Sequence, residues 1–386
     1  MTVAADRATE RDTIPFFAPD LFEADRETLL EVLYEVGTDP EQRFILGRRT
    51  ARFEDALRAS LGSADAVACS SGTSALTLVL TAMGIGPGDE VVVPAFGCAP
   101  LASTVLAVGA VPVFADIDPA TLTLDPESAE ALVTDRTRAL MPAHMFSVMA
   151  DMPRLRDLAA RTGLRLVEDS ALAQGGVLRG RPAGRWGDAG VYSFVQVKVF
   201  GMPGEGGVVL TDDAALAGRV RMLRNHGQDG RNRFLHHHVG HNSRFDEVMA
   251  AVQLHRLAGL EERIARRTAI CDHYSAAFAD LADAGVVAPP VGGDGRFPYV
   301  YTLLCEDREG LRAHLAAAGV DTHVYYPRTL PEQPAFAPHA AADGAWPRAR
   351  EAARRNISLP LYPHLTDARV EHVVAAVRAF ALGRTP

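Results

Sequence analysis

Short apolar runs alternate with segments of helical periodicity through the first half of the chain. Six runs have the length and composition of buried strands, at residues 64–70, 89–94, 111–116, 138–144, 164–169 and 206–212. Helical patterns precede or separate them, at 53–61, 75–83 and 152–162, and a further one follows the run 89–94 and extends to residue 110. Strands that are apolar along their whole length and alternate with helices lie in a sheet covered on both faces. The pattern therefore predicts an α/β fold with a parallel sheet.

The alternation fades after residue 212. A long helix is predicted over 246–267, a strand in F-P-Y-V-Y-T-L-L-C (297–305), a helix near 311–318 and a closing helix over 367–382. We therefore expect a large α/β domain over residues 14–265 and a smaller C-terminal α+β domain over 266–386. The polar start, residues 1–13, is expected to be a flexible tail.

Composition narrows the class of protein. Of the 386 residues, 48% are hydrophobic and 23% are charged, as in soluble globular proteins with a large core. The net charge of −9 is spread without long blocks of one sign, so no nucleic acid or membrane partner is indicated. The polar start lacks a signal-peptide pattern, and the four cysteines lack metal-binding spacing, which favours a cytoplasmic protein with free thiols.

Four expected strand ends carry residues capable of chemistry. These are S-G-T-S at 71–74, F-G-C at 96–98, the pair Glu168-Asp169, and the segment from Ser193 to Lys198. In a parallel α/β sheet the carboxyl ends of the strands meet at one edge, and ligands bind there. The four segments are therefore expected to lie close together.

Each feature also has an ordinary structural explanation. The segment 71–74 opens a helix, so its backbone N–H groups could hold a phosphate or could simply be capped by a hydroxyl. The carboxylates of Glu168 and Asp169 could pair with a ring nitrogen or a metal, or could be solvated at a strand end. Lys198 could be kept dry for its chemistry, or its amine could reach water from an apolar stem.

In combination these features favour chemistry. A phosphate cradle, a strand-end aspartate and a desolvated lysine are the groups that pyridoxal 5'-phosphate requires from a protein. The lysine forms a Schiff base with the cofactor, the aspartate keeps the ring nitrogen protonated, and the helix N-terminus holds the phosphate. Burial also lowers the pKa of a lysine, which leaves more neutral amine for reaction.

Nine segments, in order along the chain, match a known pattern. They are S-S-G-T-S-A-L (70–76), G-I-G-P-G-D-E-V-V-V-P (84–94), G-A-V-P-V-F-A-D-I-D-P (109–119), V-E-D-S-A (167–171), Y-S-F-V-Q-V-K (192–198), G-E-G-G (204–207), L-R-N-H-G (223–227), G-H-N-S-R (240–244) and S-L-P-L-Y-P (358–363). From about residue 44 to its C-terminus the chain resembles the DegT/DnrJ/EryC/StrS sugar aminotransferase family. That family belongs to the fold type I pyridoxal phosphate enzymes, so the resemblance implies a large parallel-sheet domain and a smaller C-terminal α+β domain.

The resemblance implies a role for each residue that matches the family's cofactor site. Lys198 corresponds to the Schiff-base lysine, and Asp169 is similar to the partner of the pyridinium nitrogen. Ser193 resembles the phosphate-binding serine, and Gly72 and Thr73 match the backbone cradle for the same phosphate.

A second group of matches implies an assembly of two chains. Asn242 resembles an asparagine that reaches the phosphate of a neighbouring subunit, and Arg244 lies beside it in G-H-N-S-R. The resemblance therefore implies a homodimer with active sites shared between subunits. Arg244, His238 and Tyr326 are expected to contact substrate. The run His236–His238 cannot turn three consecutive rings onto one ion, so no metal is expected there.

The sequence departs from the family pattern near the cofactor. Leu172 stands where glutamine or histidine is usual, and Cys98 stands where an aromatic ring commonly covers the cofactor. Phe96 is expected not to replace that ring. Pro331 takes the place of a common histidine, and the loop between Lys198 and Glu205 is one residue longer than usual. These differences bear on the substrate rather than on the core chemistry.

The leading functional hypothesis is an aminotransferase of aminosugar or antibiotic biosynthesis. It would move an amino group from glutamate or glutamine to a keto-sugar, most simply a nucleotide-linked ketodeoxysugar, or to a keto-cyclitol. Two alternatives stay open: a pyridoxal phosphate-dependent dehydratase or lyase, and a non-catalytic ligand-sensing regulator on the same fold. The presence of Lys198 disfavours a dehydratase, because the dehydratases that resemble the family commonly have histidine in place of this lysine.

Overall fold

The computed structural model describes residues 13–18, 25–232, 234–290, 293–340 and 345–383. The expected flexible tail, residues 1–13, lies outside these ranges except for Thr13. Within them, no helix combines the length and the apolar character needed to cross a membrane.

Helices and strands are numbered in chain order. The helices are α1 Arg26–Gly37, α2 Arg48–Leu61, α3 Gly72–Ala82, α4 Pro100–Ala107, α5 Pro126–Glu130, α6 Met152–Thr162, α7 Ala214–Arg224, α8 Glu247–Ala258, α9 Leu260–Phe278, α10 Arg308–Ala317, α11 Pro347–Arg355 and α12 Asp367–Ala381. The strands are β1 Asp65–Cys69, β2 Glu90–Pro94, β3 Val111–Ala115, β4 Thr137–Leu140, β5 Arg165–Asp169, β6 Val177–Leu178, β7 Arg181–Pro182, β8 Ala189–Ser193, β9 Gly207–Thr211, β10 Val286–Val287, β11 Tyr301–Cys305 and β12 Asn356–Leu359. All six apolar runs predicted as strands are strands.

A seven-stranded sheet in the order β1-β9-β8-β5-β4-β2-β3 forms the centre of the fold. The pairs from β8 to β3 are parallel, as the alternation with helices predicts. Strand β9, however, runs antiparallel to both β1 and β8, so the sheet is mixed at this edge. The chain returns from β8 to β9 through turns without a crossover helix, and parallel neighbours need such a crossover. The α/β fold with a parallel-dominated sheet is confirmed.

The predicted helix over 246–267 is wrong in one respect, because the structure contains two helices there. Helix α8 ends at Ala258 and α9 begins at Leu260, with Gly259 at φ −102° and ψ 14° between them. Glycine is a poor helix former, and here it allows the chain to change direction. Helix α9 then continues to Phe278, past the domain boundary expected near residue 265.

The C-terminal part of the chain has its own sheet and core. Strands β10, β11 and β12 form a three-stranded antiparallel sheet. Side chains from α9, α10 and α12 pack on it as a second hydrophobic cluster, separate from the one on the large sheet. Ile14 belongs to this second cluster and pairs with Val320, so the first described residues pack against the C-terminal part. The division into domains 14–265 and 266–386 stays a prediction.

Glu247 joins the start of α8 to the start of α2. Its carboxylate is 1% exposed and accepts hydrogen bonds from the backbone N–H groups of Gly47, Arg49 and Thr50 at 2.8–2.9 Å and from the Thr50 hydroxyl at 2.6 Å. Burial opposes its negative charge, but these donors hold the pKa of Glu247 below its ordinary value. A carboxylate distant in sequence thus satisfies the free amides at a helix N-terminus.

The substitution Glu247→Gln should lower the free energy of unfolding by about 1–3 kcal/mol, because an amide offers one acceptor oxygen to four donors. Denaturant unfolding at neutral pH measures this. A lowered folded-state pKa contributes stability above the unfolded pKa and loses it in acid, so the difference from wild type should shrink as pH falls. Glu261→Gln, on the exposed first turn of α9, is the control and should change little. Equal stabilities of the two variants would contradict this role for Glu247.

Candidate active site

A cavity of about 220 Å³ opens at the carboxyl edge of the large sheet, next to the ends of β1, β2, β5 and β8. The structure brings six predicted site residues to its wall: Gly72, Thr73, Asp169, Ser193, Lys198 and Tyr326. Strands β1, β5 and β8 run in the same direction, since β9 is antiparallel to its two neighbours. Their carboxyl ends therefore meet at one edge, as the parallel pattern predicts.

The N-terminus of α3 faces this cavity. Ser71 caps the helix, with its hydroxyl accepting from the Ser74 amide at 3.0 Å. Among the described residues, no acceptor contacts the amides of Gly72 and Thr73. A Cβ atom at Gly72 would lie 2.8 Å from the Ser193 Cβ, so only glycine lets these segments approach. The result is a small pocket of backbone donors and hydroxyls, suited to a phosphate.

Lys198 lies in a tight turn just beyond β8. Its N–H donates to the Val195 carbonyl at 2.9 Å, and its own carbonyl accepts from Gly201 at 3.0 Å. A side chain at Gly201 would meet the Gln196 carbonyl oxygen at 2.4 Å, so this turn requires glycine. Burial lowers the pKa of the Lys198 amine, although the neighbouring acidic groups partly offset this effect. The neutral form of the amine is therefore more accessible than in an exposed lysine.

Asp169 ends β5 with its side chain directed at the same cavity. It is 3% exposed, accepts from the Ala171 amide at 3.1 Å, and has the Cys98 sulfur 3.9 Å from its Oδ2. Burial raises the pKa of Asp169, because these few donors and the distant Lys198 charge do not replace water. A cationic group placed against this carboxylate would stabilise its ionised form.

Glu168 is also buried but belongs to the protein interior. Its Oε1 contacts His144 Nε2 at 2.8 Å and accepts from the Ser170 hydroxyl and the Gly184 amide. Its Oε2 accepts from the Trp186 amide at 2.8 Å. These donors hold the pKa of Glu168 below its ordinary value despite complete burial. Of the two adjacent carboxylates, only Asp169 lines the cavity.

The departures from the family pattern occupy specific places. Leu172 and Cys98 both line the cavity. Burial and the nearby Asp169 raise the pKa of the Cys98 thiol to about 12, so the sulfur is protonated and uncharged. Phe96 is fully buried and stacks on Phe146 with ring centroids 5.3 Å apart, and it does not line the cavity. The expectation that Phe96 does not replace the missing ring agrees with this position.

The structure does not bring Asn242, Arg244 and His238 to the cavity of their own chain. Asn242 is exposed, and its Oδ1 accepts from Arg244 Nε at 3.0 Å. His238 is exposed as well, in the segment between α7 and α8. The adjacent Ser243 is anchored beside the phosphate cradle, with its hydroxyl 3.0 Å from that of Ser70. Their assignment to a neighbouring subunit's site stays a prediction.

Three side chains of the cavity region were not identified from the sequence. His144 and Glu205 line the cavity. The ring of Tyr299 lies against Lys198, with its centroid 4.9 Å from Nζ. Glu205 lay inside the quoted motif G-E-G-G without being assigned, and His144 was the last residue of the predicted strand 138–144. Tyr299 gave no local signal, since an aromatic beside an apolar strand is ordinary and its contact is distant in sequence.

The chain also matches the family model described as the DegT/DnrJ/EryC1/StrS aminotransferase family, over residues 26–378. This chain is a member of that family. Its members depend on pyridoxal phosphate, and solved structures among them contain the cofactor in its pyridoxal or pyridoxamine form. The resemblance and the fold class inferred from the sequence are confirmed.

Similarity to known proteins extends over most of this aminotransferase. It is 41% identical over 341 residues to dTDP-3-amino-3,4,6-trideoxy-alpha-D-glucose transaminase of Streptomyces venezuelae, covering 88% of this chain and 89% of that protein. It is 36% identical over 364 residues to a pleiotropic regulatory protein of Geobacillus stearothermophilus, covering 93% and 96%. The structure of DesV from S. venezuelae superposes with a TM-score of 0.91 at 39% identity, covering 96% of this chain and 98% of that one.

The residues of this cavity fit pyridoxal phosphate. The free amides of Gly72 and Thr73 would donate hydrogen bonds to the phosphate, and Ser193 lies next to Gly72. Asp169 would offer an anion to the ring nitrogen, and Lys198 would offer its amine to the aldehyde. The fit rests on free backbone donors at the start of α3, and on an amine and a buried carboxylate that line the same cavity.

The two adjacent carboxylates allow a matched test. Asp169→Asn should keep the stability of the fold and reduce turnover about ten- to a hundredfold or more, since a charge-assisted hydrogen bond is lost. Glu168→Gln should instead lower the free energy of unfolding by about 1–3 kcal/mol, because four donors then face one acceptor oxygen. Steady-state kinetics and denaturant unfolding of both proteins measure this. A near-normal turnover for Asp169→Asn would show that another group serves the ring nitrogen.

Proposed function

We propose that this aminotransferase transfers an amino group from glutamate or glutamine to a keto-sugar carried on a nucleotide, with a keto-cyclitol as the related alternative acceptor. The proposal is carried by one observation: Lys198 and Asp169 meet the α3 phosphate cradle in a single cavity. The relative with 41% identity, which is named as a dTDP-aminosugar transaminase, supports a nucleotide-linked sugar as acceptor.

The bound cofactor would supply the electron sink and carry the amino group between the two substrates. Lys198 would then remove a proton from one carbon and return it at another, as a general base and acid. Its lowered pKa suits this task, because a neutral amine accepts a proton and the resulting ammonium donates it. The Asp169 carboxylate would hold the positive ring nitrogen, and the buried Glu168–His144 pair stabilises the strand end that presents it.

We further propose a homodimer with shared active sites. Exposed apolar side chains are concentrated in three segments: Leu30, Leu33 and Tyr34 in α1, Phe44 and Ile45, and Phe234, Leu235 and Val239. Backbone hydrogen bonds join residues 44 and 46 to Glu247 and Phe245, so the second segment lies next to the chain that follows Asn242. Apolar groups of this size that stay exposed are typical of a subunit interface.

Mixing two inactive variants tests the shared site. If Lys198 of one chain works with Asn242 of the other, a hybrid of Lys198→Ala and Asn242→Ala chains contains one site with both residues intact. An equal mixture refolded together should then regain about a quarter of the wild-type activity, whereas the separate homodimers stay weak. Mixing Lys198→Ala with Asp169→Asn is the control and should restore nothing, because both residues come from one chain. Absence of recovery in the first mixture would contradict a shared site.

A regulatory role is a second candidate, and one observation favours it. The relative with 36% identity that covers 93% of this chain is named as a pleiotropic regulatory protein. A sensor, however, has no need of a proton-transferring amine and an anion for the ring nitrogen together, and this chain has both. The free cysteines and the family's metabolic chemistry support a cytoplasmic enzyme.

The substitution Lys198→Ala tests the catalytic proposal. Lys198 is the only lysine in the 386-residue sequence, so borohydride should fix the cofactor to the wild-type chain at this side chain. The variant should lose this linkage and lose amino transfer by roughly three orders of magnitude or more. Peptide mass spectrometry and an assay with dTDP- and UDP-linked keto-sugars measure both. Wild-type protein that binds the cofactor but transfers no amino group from glutamate or glutamine would favour the regulatory candidate.

A further inference from the structure

Tyr299 brings the C-terminal half of the chain into contact with Lys198. It precedes β11 of the second sheet, whereas Lys198 follows β8 of the first. The ring centroid lies 4.9 Å from the lysine Nζ, within the range of a cation–π contact. The tyrosine is 7% exposed, so the contact is largely shielded from water. An aromatic face in this position stabilises a positive charge on the lysine.

The backbone of Tyr299 is fixed by a buried serine in the segment between β4 and α6. Ser147 is 2% exposed, and its hydroxyl accepts from the amides of Tyr299 at 3.2 Å and Val300 at 3.1 Å while donating to the Val300 carbonyl. The Ser147 carbonyl accepts from Phe297 at 3.1 Å. Ser147 adopts φ +65°, a left-handed conformation that favours glycine. Serine is unusual in this conformation, and its hydroxyl makes the hydrogen bonds to Tyr299 and Val300 that glycine could not make.

A buried guanidinium fixes the other side of the same residue. Arg267 on α9 is 5% exposed, and its Nη1 donates to the carbonyls of Tyr299 at 3.2 Å and Leu361 at 2.8 Å. Among the described residues, no carboxylate pairs with it. Burying an arginine without an anionic partner is costly. Both the N–H and the carbonyl of Tyr299 are therefore held by buried polar side chains from different parts of the chain.

We propose that Ser147 and Arg267 are positioning residues that hold the Tyr299 ring over the Lys198 amine, and that this ring determines where the free amine rests and how readily it carries a proton. Ser147 and Arg267 act through Tyr299, because, of these three residues, it is Tyr299 whose ring contacts the amine. For its catalytic consequence this inference rests on the proposed function, in which Lys198 alternates between amine and ammonium.

Several forces act on this amine. Burial lowers the pKa of Lys198, whereas the neighbouring anionic groups and the aromatic face raise it. The titratable groups that face it from the surrounding elements are Cys98, His144, Asp169, Glu205, Tyr299 and Tyr326. Of these, the ring of Tyr299 is the group that stabilises the ammonium without bearing a charge. Removing the ring face should therefore lower the pKa of Lys198.

A single-residue titration is possible because the sequence contains one lysine. Protein grown on [ε-13C]lysine and freed of cofactor should give one lysine signal, whose shift with pH reports Lys198 directly. Tyr299→Leu keeps the site apolar but removes the ring face and should lower the pKa by about one unit. Tyr299→Phe keeps the face and loses only the hydroxyl, so it should titrate as wild type.

Ser147→Gly tests the positioning role, because glycine accepts φ +65° and the change removes the hydroxymethyl side chain that holds Tyr299. Like Tyr299→Leu, it should lower the pKa of Lys198. If Ser147 acts through the ring, adding Ser147→Gly to Tyr299→Leu should cause no further shift. Ser275→Ala is the matched control: Ser275 is 1% exposed and hydrogen-bonds to Tyr301 at 3.0 Å in the second core. It should lower stability and leave the Lys198 titration unchanged.

Each result either supports the inference or overturns it. Equal titrations for the leucine and phenylalanine variants would show that the ring does not act on the amine. A wild-type titration for Ser147→Gly, or an equal further shift in the leucine background, would show that Ser147 does not act through Tyr299. Because the measurement needs neither cofactor nor substrate, these outcomes are independent of the proposed function. With that function established, the pH profile of kcat should shift in the same order among the variants.

Discussion

In the proposed reaction the amine of Lys198 has to be shielded from bulk water and still exchange a proton, and the residues around the cavity meet both conditions. Burial makes the neutral amine accessible, while Asp169, Glu205 and the Tyr299 ring limit how far its pKa falls. Such a balance needs atoms placed within a few ångströms from several strands. The parallel run of β1, β5 and β8 supplies that placement, because their carboxyl ends share one edge.

Close backbone approach is the second condition at this edge. Gly72 has the side chain of Ser193 against its Cα, and Gly207 has the Ser71 backbone within 2.5 Å of where a Cβ would be. The strands β1, β8 and β9 can therefore bring the start of α3 next to the end of β8. Free amides at a helix N-terminus then face the cavity at a fixed distance from the lysine turn. The same glycines thus allow the close packing and the pocket of free amides.

The C-terminal half of the chain completes the cavity rather than forming a separate unit beside it. Tyr326 lines the cavity and Tyr299 contacts Lys198, both from segments that flank the second sheet. Arg267 of α9 and Ser147 of the large-sheet loop meet at the backbone of Tyr299. Because of these contacts, a movement of one sheet relative to the other would change the environment of Lys198.

The sequence by itself determined the α/β class, six of the seven strands of the large sheet, and the residues Lys198, Asp169, Ser193, Gly72 and Thr73, which the structure brings to one cavity. These depend on local patterns: apolar runs, strand-end polar residues and glycines in fixed order. The sequence did not determine the antiparallel direction of β9, the break at Gly259, the different roles of Glu168 and Asp169, or the contact of Tyr299 with Lys198. Those features depend on which groups meet across the fold, and only the tertiary structure decides that. The partner can lie 24 positions away, as for Glu168 and His144, or 152 positions away, as for Ser147 and Tyr299, and no local pattern identifies it.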